Sequence, residues 1–107
     1  KTFPQVFWTS NWGEDADFPE GFRYKVFSVR KEPASDFEVV LVQEVRNGSK
    51  REMQRWSVPP DQFAASNEMI QMLEEQFGVS FEKVDMSDIR TFEEFEARCR
   101  GAGWDVS

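Results

Sequence analysis

The chain has 107 residues, of which 39% are hydrophobic and 31% are charged, and its formal net charge at pH 7 is −7. Its 11 phenylalanines and 4 tryptophans exclude a disordered chain, because disordered segments contain few aromatic residues. The length predicts a single domain over residues 1–107, with a modest core that needs no disulfide or metal for stability.

The chain contains no histidine and a single cysteine, Cys99. Without histidine, Ser–His and Cys–His nucleophile pairs are excluded, and so are histidine metal ligands. One cysteine also excludes an internal disulfide and a structural zinc site. We therefore predict a protein that is not an enzyme and uses no metal and no cofactor. No apolar stretch approaches the length of about 20 residues that a membrane helix needs, so no membrane partner is expected. Cysteine usage predicts a cytoplasmic location, or the cytoplasm of a host if the protein is encoded by a phage.

The first half of the chain predicts an antiparallel meander of three to four strands. The segment 22–31 alternates between apolar and basic residues, and 37–46 is apolar on both faces, which is typical of a central strand. The segment 3–9 contains Pro4 and is expected at an edge or a strand start. The segment 49–58 is mostly polar, so it is expected either to have one exposed face or to lie at an edge.

The dipeptide Asn47-Gly48 predicts a tight hairpin between the last two strands. Both residues tolerate the positive φ of a type I′ turn, so we expect a two-residue loop. That loop fixes the cross-strand register, with these opposed pairs: Glu44 and Arg51, Val42 and Met53, and Val39 and Trp56.

Two helices are predicted after the strands. Pro59-Pro60 favours a helix over 60–77, which Gly78 ends. Thr91 and Glu94 form a capping box for a second helix over 92–100. The segment 79–84 between them alternates like a short strand. The expected fold is α+β, with both helices packed on one face of the sheet. The apolar face of the first helix combines Phe63, Ser66, Ile70, Leu73 and Phe77, with Met69 at its flank and Met72 on the opposite side.

Charge is distributed unevenly along the sequence. Residues 1–21 carry a net charge of −3, residues 22–56 of +3 and residues 57–107 of −7. Complementary potentials steer partners together, so we expect an acidic helical face to bind a basic protein. The predicted residues of that face are Glu68, Glu75, Asp85, Asp88, Glu93, Glu94 and Glu96. A second predicted contact is the acidic loop "NWGEDADFPEGF" with its aromatic anchor, comprising Trp12, Glu14, Asp15, Asp17 and Glu20.

The function favoured by these patterns is a small acidic protein that binds and regulates or inhibits a protein partner. A nucleic-acid mimic from a phage or mobile element, acting on a nucleic-acid-handling machine, fits this charge. The alternative is a module that binds single-stranded nucleic acid on the basic, aromatic sheet. The residues that would do so are Arg46, Lys50, Arg51, Arg55 and Trp56. The acidic net charge counts against that alternative. A structural subunit of an oligomeric assembly and a homodimer are further alternatives.

Overall fold

The structure is a computed structural model that describes residues 6–14, 16–30, 32 and 35–104, and of residues 63–67 the backbone alone. Its elements in chain order are strands β1 (Val6–Ser10), β2 (Phe22–Val29), β3 (Phe37–Val45) and β4 (Lys50–Val58), a 3-10 helix (Pro60–Ala65), helix α1 (Ser66–Phe77), strand β5 (Phe81–Lys83) and helix α2 (Phe92–Gly101). The predicted α+β class is confirmed, and the short strand expected within 79–84 is β5.

The five strands form one sheet in the order β4-β3-β2-β1-β5, and every neighbouring pair is antiparallel. Strand β3 lies inside the sheet, as its two apolar faces predicted. Strand β4 forms one edge and exposes most of its side chains, as its polar sequence predicted. The other edge is the three-residue strand β5.

The hairpin between β3 and β4 has a three-residue loop, 46–48. The amide of Val45 donates to the carbonyl of Ser49 at 2.8 Å, which closes that loop. Gly48 has a φ of +99°, whereas Asn47 has a negative φ. A type I′ turn requires positive φ at both central residues, so the predicted two-residue turn is wrong.

The longer loop shifts the register by one residue close to the turn. The observed pairs there are Glu44 with Lys50 and Val42 with Glu52. The predicted pairs of Glu44 with Arg51 and of Val42 with Met53 are therefore wrong. The register shift lies between Leu41 and Val42 and leaves Met53 as an extra residue on β4. This bulge restores the predicted register farther along, so the pair of Val39 with Trp56 is confirmed.

The sheet buries both of its faces, and each face has its own helix. The face we call the α1 side packs Ile70 and Leu73 of α1 against strand residues that include Trp8, Tyr24, Val26, Val39 and Leu41. The face we call the α2 side packs Phe95 and Cys99 of α2, with Trp104, against Phe7, Phe27, Val29, Val40 and Val42. The prediction that both helices pack on one face is therefore wrong. Because β2 and β3 are apolar on both faces, one covered face would leave the other in water.

Helix α1 ends as the sequence predicted. Gly78 has a φ of +66°, and the amides of Gly78 and Val79 donate to the carbonyl of Glu74 at 2.8 and 3.2 Å. Of its predicted apolar face, Ile70 and Leu73 are buried. Met69 and Phe77 are half-buried, while the side chains of Phe63 and Ser66 lie outside the described residues.

Helix α2 begins with the predicted N-cap residue, Thr91. The Thr91 hydroxyl accepts from the amide of Glu94 at 3.2 Å. The Glu94 carboxylate accepts from the amide of Arg90 at 3.1 Å, one residue earlier than in an ideal capping box. After the helix the chain folds back, and the amide of Trp104 donates to the carbonyl of Cys99 at 2.9 Å. The buried ring of Trp104 closes the core of the α2 side.

Candidate functional site

Helix α1 presents an exposed stripe to solvent, opposite the residues that hold it on the sheet. Glu68, Met72 and Glu75 lie at i, i+4 and i+7, so they share this stripe. Met72 is 60% exposed and is one of two large hydrophobic side chains exposed in the described part of the chain. We call this stripe the α1 outer face, defined by Glu68, Gln71, Met72, Glu75 and Gln76, all of them exposed.

The α1 outer face carries negative charge with no nearby compensation in the sequence. Residues 57–82 contain five acidic residues and no lysine or arginine. Among the described residues, no cation forms a salt bridge with a carboxylate of α1. Glu74 has a structural role, since its carboxylate accepts a hydrogen bond from the amide of Phe81 at 2.7 Å. Glu68 and Glu75 are left facing solvent beside Met72.

The acidic residues near α2 are arranged differently, because most of them have partners. Arg98 and Asp88 form a two-point ion pair, with nitrogen–oxygen distances of 2.6 and 3.0 Å. The hydrogen bonds from Arg98 hold the pKa of the Asp88 carboxyl below its ordinary value. Glu96 lies 3.5 Å from Arg100 one turn later. Residues 83–104 contain four basic and five acidic residues, so this segment is nearly neutral.

The structure does not bring the predicted acidic helical residues together on one surface. Glu68 and Glu75 lie on the α1 side. The other five belong to the segment that packs on the α2 side, namely Asp85, Asp88, Glu93, Glu94 and Glu96. Asp85 accepts from the amide of Ser87 at 2.9 Å, which lowers the pKa of its carboxyl. Among the described helical carboxylates, those without a hydrogen-bond or ion-pair partner are therefore Glu68 and Glu75 on α1 and Glu93 on α2.

The acidic loop between β1 and β2 is closed by a backbone bridge. Gly13 and Phe22 exchange two hydrogen bonds, at 2.7 and 2.8 Å. Gly21 then turns the chain with a φ of +107°, and a side chain there would meet Arg46. The loop is thereby held against the end of the sheet where the β3–β4 hairpin turns.

Trp12 at the base of this loop contacts two arginines of the sheet. The guanidinium carbons of Arg23 and Arg46 lie 4.4 and 4.2 Å from the centroid of its ring. Arg46 also donates from Nε to the carbonyl of Glu20 at 2.9 Å. The half-buried Trp12 is thus engaged within the chain. The acidic side chains Glu14, Asp17 and Glu20 are exposed, and Asp15 lies outside the described residues.

The predicted cations of the hairpin do not converge on one surface. Arg55 pairs with Glu38 and Glu52, while Arg46 is engaged with Trp12. Lys50 lies 3.9 Å from Glu44, and Arg51 donates to Gln43 at 3.4 Å. These side chains therefore point to several different neighbours.

The aromatic rings expected to stack on bases are built into the core. Tyr24 and Phe27 are buried, and Trp56 is half-buried against the α1-side core. Sheets that bind single strands present such rings on an open face. Here a helix covers each face, so these three rings offer no open stacking surface.

One charged network was not predicted, because it depends on the register of β2 with β3. Glu44 accepts from Arg23 Nε at 2.7 Å and lies 3.1 Å from Lys25 Nζ. Lys25 is 5% exposed and also donates to the carbonyl of Ala102 at 3.1 Å, after the end of α2. The direct pairing of Arg23 with Glu44 would have revealed the network had the register been known.

Burial and ion pairing act in opposite directions within this network. Loss of solvation lowers the pKa of Lys25, and its hydrogen bond to Glu44 opposes that shift only in part. Burial raises the pKa of Glu44, but the hydrogen bonds from Arg23 and Lys25 outweigh it and lower that pKa. Glu44 is therefore charged at neutral pH, and it joins β2, β3 and the end of α2.

The described residues provide no ready nucleophile or metal centre. Cys99 is fully buried, and burial raises the pKa of its thiol to about 12. Within the described ranges, no three aspartate, glutamate, cysteine or histidine side chains lie together where they could hold a metal ion. No helix in those ranges is both long enough and apolar enough to cross a membrane.

Comparison with known proteins assigns no family to the chain: no family model, no curated protein and no solved structure matches it.

Proposed function

We propose that this protein is a non-catalytic binding protein whose α1 outer face docks on a basic protein partner and thereby regulates or inhibits it. The observation that carries the proposal is the pairing of unneutralised carboxylates with an exposed Met72 on one helix. Met72 gives this charged face an apolar side chain at its centre, which a purely electrostatic surface lacks.

The chemistry of the partner follows from the chemistry of this face. Glu68 and Glu75 flank Met72 on the same stripe, so a matching surface has an apolar groove between lysine or arginine side chains. Methionine suits such a contact because its unbranched, polarisable side chain adapts to irregular grooves. A net charge of −7 would steer a basic partner from a distance.

A direct test uses a fluorescently labelled synthetic amphipathic helix of lysine and leucine as the probe. We expect the protein to bind this peptide, and the affinity to fall as salt is added, because salt screens exposed charges. Replacing Glu68 and Glu75 together with glutamine should weaken binding by about tenfold, as expected for the loss of two charge contacts. Met72→Gln should weaken binding at all salt concentrations, because it removes the apolar contact.

Glu93→Gln is the matched control, since Glu93 is an exposed helical carboxylate on α2. It should leave peptide affinity almost unchanged. Equal losses for Glu93→Gln and for the α1 variants would contradict the proposal, as would binding that is insensitive to salt. Proteins captured from a cell extract by the wild type and lost with the α1 variants would then be candidates for the natural partner.

A further inference from the structure

A pocket that the proposed function does not use lies at the hairpin end of the sheet. We call it the hairpin pocket; its volume is about 200 Å³ and its lining residues are Phe18, Gln43, Val45, Ser49, Lys50 and Arg51. It is formed where the acidic loop folds back beside the first residues of β4. No acidic side chain belongs to this lining, although the chain as a whole is strongly acidic.

Hydrogen-bond donors line this pocket without matching acceptors. Gln43 is 6% exposed, and its side-chain oxygen accepts from Arg51 at 3.4 Å. Its amide nitrogen has no acceptor among the described residues. Arg51 has no carboxylate partner in that part of the chain and otherwise contacts the sulfur of Met53 at 3.3 Å. Arg51 is exposed, so these unused donors are open to an acceptor that enters the pocket.

The apolar wall of the pocket is held in place by the loop. The carbonyl of Phe18 accepts from the amide of Gly21 at 3.0 Å, and the ring of Phe18 lies 5.8 Å from that of Phe22. The amide of Arg46 donates to the carbonyl of Gly21 at 2.9 Å, which ties this turn to the hairpin. Phe18 is thus fixed beside the hairpin.

We propose that the hairpin pocket binds a carboxylate carried on a small apolar group. Arg51 would hold the carboxylate through two parallel hydrogen bonds, the geometry for which a guanidinium is suited. The amide nitrogen of Gln43 would donate to the same anion. The apolar group would pack against Phe18 and Val45. Such a ligand could be the C-terminal residue of a peptide or a free small acid.

The test is a titration of the full chain followed through its backbone amide NMR signals. N-acetylphenylalanine represents a peptide C-terminus and phenylacetate represents a free acid. We expect shifts centred on Gln43, Val45 and residues 49–51 with one or both acids. The neutral amide of N-acetylphenylalanine should bind about tenfold more weakly, as expected for the loss of a charge-assisted hydrogen bond. The acid with the higher affinity identifies the source.

Variants separate the pocket from general electrostatic attraction. Arg51→Gln and Gln43→Leu should each weaken binding of the acid, whereas Arg100→Gln on α2 removes the same charge and should not. Retained signal dispersion shows that each variant is folded, and Gln43→Leu keeps the side-chain volume nearly constant. The proposal is overturned if neither acid shifts these amides, if the amide binds as well as the acid, or if inorganic phosphate alone binds as tightly. The site is separate from α1, so this outcome is independent of the proposed function.

Discussion

The two sides of the sheet present the same kinds of residues in opposite arrangements. On the α2 side, most acidic residues pair with arginines or accept backbone hydrogen bonds, as in the pair of Asp88 with Arg98, while Glu93 is exposed. On the α1 side, the outer carboxylates have no cationic partners among the described residues and surround an exposed methionine. The cores beneath are both well buried. Charge pairing, rather than the number of acidic residues, therefore distinguishes the two surfaces.

This difference separates stability from recognition. A carboxylate that is paired at a distance below 3 Å holds its neighbour in one position, as Asp88 does for Arg98. An unpaired carboxylate contributes little to folding and keeps its full potential toward solvent. We therefore expect substitutions beneath the helices and at buried charges to change stability, and substitutions on the α1 outer face to change binding alone.

The largest expected effect is on the core of the α2 side. Phe95 is 1% exposed, whereas the α1 anchors Ile70 and Leu73 are 7% and 5% exposed. Phe95→Ala should lower the free energy of unfolding by about 3–5 kcal/mol, through lost burial and the cavity left behind. Leu73→Ala should lower the free energy of unfolding by a smaller amount. Chemical denaturation of both variants measures the difference, and a larger loss for Leu73→Ala would reverse the comparison.

The next effect concerns Glu44, the partly buried acid beside Arg23 and Lys25. Glu44→Gln should lower the free energy of unfolding at neutral pH by about 1–3 kcal/mol, because it leaves Lys25 without its counter-charge. The pKa of Glu44 is lowered from its ordinary value of 4.5. A lowered carboxyl pKa stabilises the fold above the ordinary value, and that contribution is lost as pH falls through the folded-state pKa.

The prediction for Glu44 can be tested through the pH dependence of the free energy of unfolding. The stability difference between wild type and Glu44→Gln should be constant above about pH 5 and should shrink in more acidic solution. Denaturation curves at neutral and acidic pH measure it. A difference that grows on acidification would show that Glu44 is not stabilised in its charged form.

An effect of similar size is expected at Gly21, which positions the loop next to the α1-side core. Gly21→Ala should lower the free energy of unfolding by about 1–3 kcal/mol, because the φ of +107° at this position is strained for alanine. The added methyl would also lie 3.0 Å from Arg46 Nε. Gly48→Ala is the matched control, since its φ is +99° but no atom lies within 4 Å of the added methyl. Chemical denaturation measures the loss of unfolding free energy in each variant. A greater loss for Gly21→Ala than for Gly48→Ala would report the contact with Arg46, and equal losses would mean that backbone strain alone is responsible.

The smallest expected effect on stability is at Met72. Met72→Gln should change the free energy of unfolding by less than about 0.5 kcal/mol, because the side chain is exposed and belongs to neither core cluster. Thermal denaturation tests this. A clear loss of stability would show that Met72 supports the fold and would remove the main argument for a binding role.

Local patterns explain which parts of the fold were predictable. Strand alternation, the stop at Gly78 and the Thr91 cap depend on residues a few positions apart, and each was located correctly. The predicted loop length of the hairpin was wrong for a local reason, since Asn47-Gly48 also fits a three-residue loop in which only the glycine has positive φ. The predicted placement of both helices on one face was wrong because it depends on how distant parts of the chain pack together. Residues 39–42 showed that β3 is apolar on both faces, but not which helix covers which face.

The candidate site was predictable only in part. The exposed position of Met72 opposite the apolar face of α1 followed from helical spacing. The division of the acidic residues between two surfaces did not, because it depends on where α2 packs. Trp12 was expected as the aromatic anchor of a partner contact, and its contacts with Arg23 and Arg46 join residues far apart in sequence. The hairpin pocket likewise depends on the fold of the loop.

The bulge at Met53 has a consequence for how copies of this chain meet. Strand β4 is a nine-residue edge, and a long regular edge invites another strand to pair with it. The extra residue interrupts the outward row of backbone donors and acceptors near its middle. Lys50, Arg51, Glu52 and Arg55 add charge along the same edge. The irregularity that displaced the predicted register thus also protects the sheet from uncontrolled growth by strand addition.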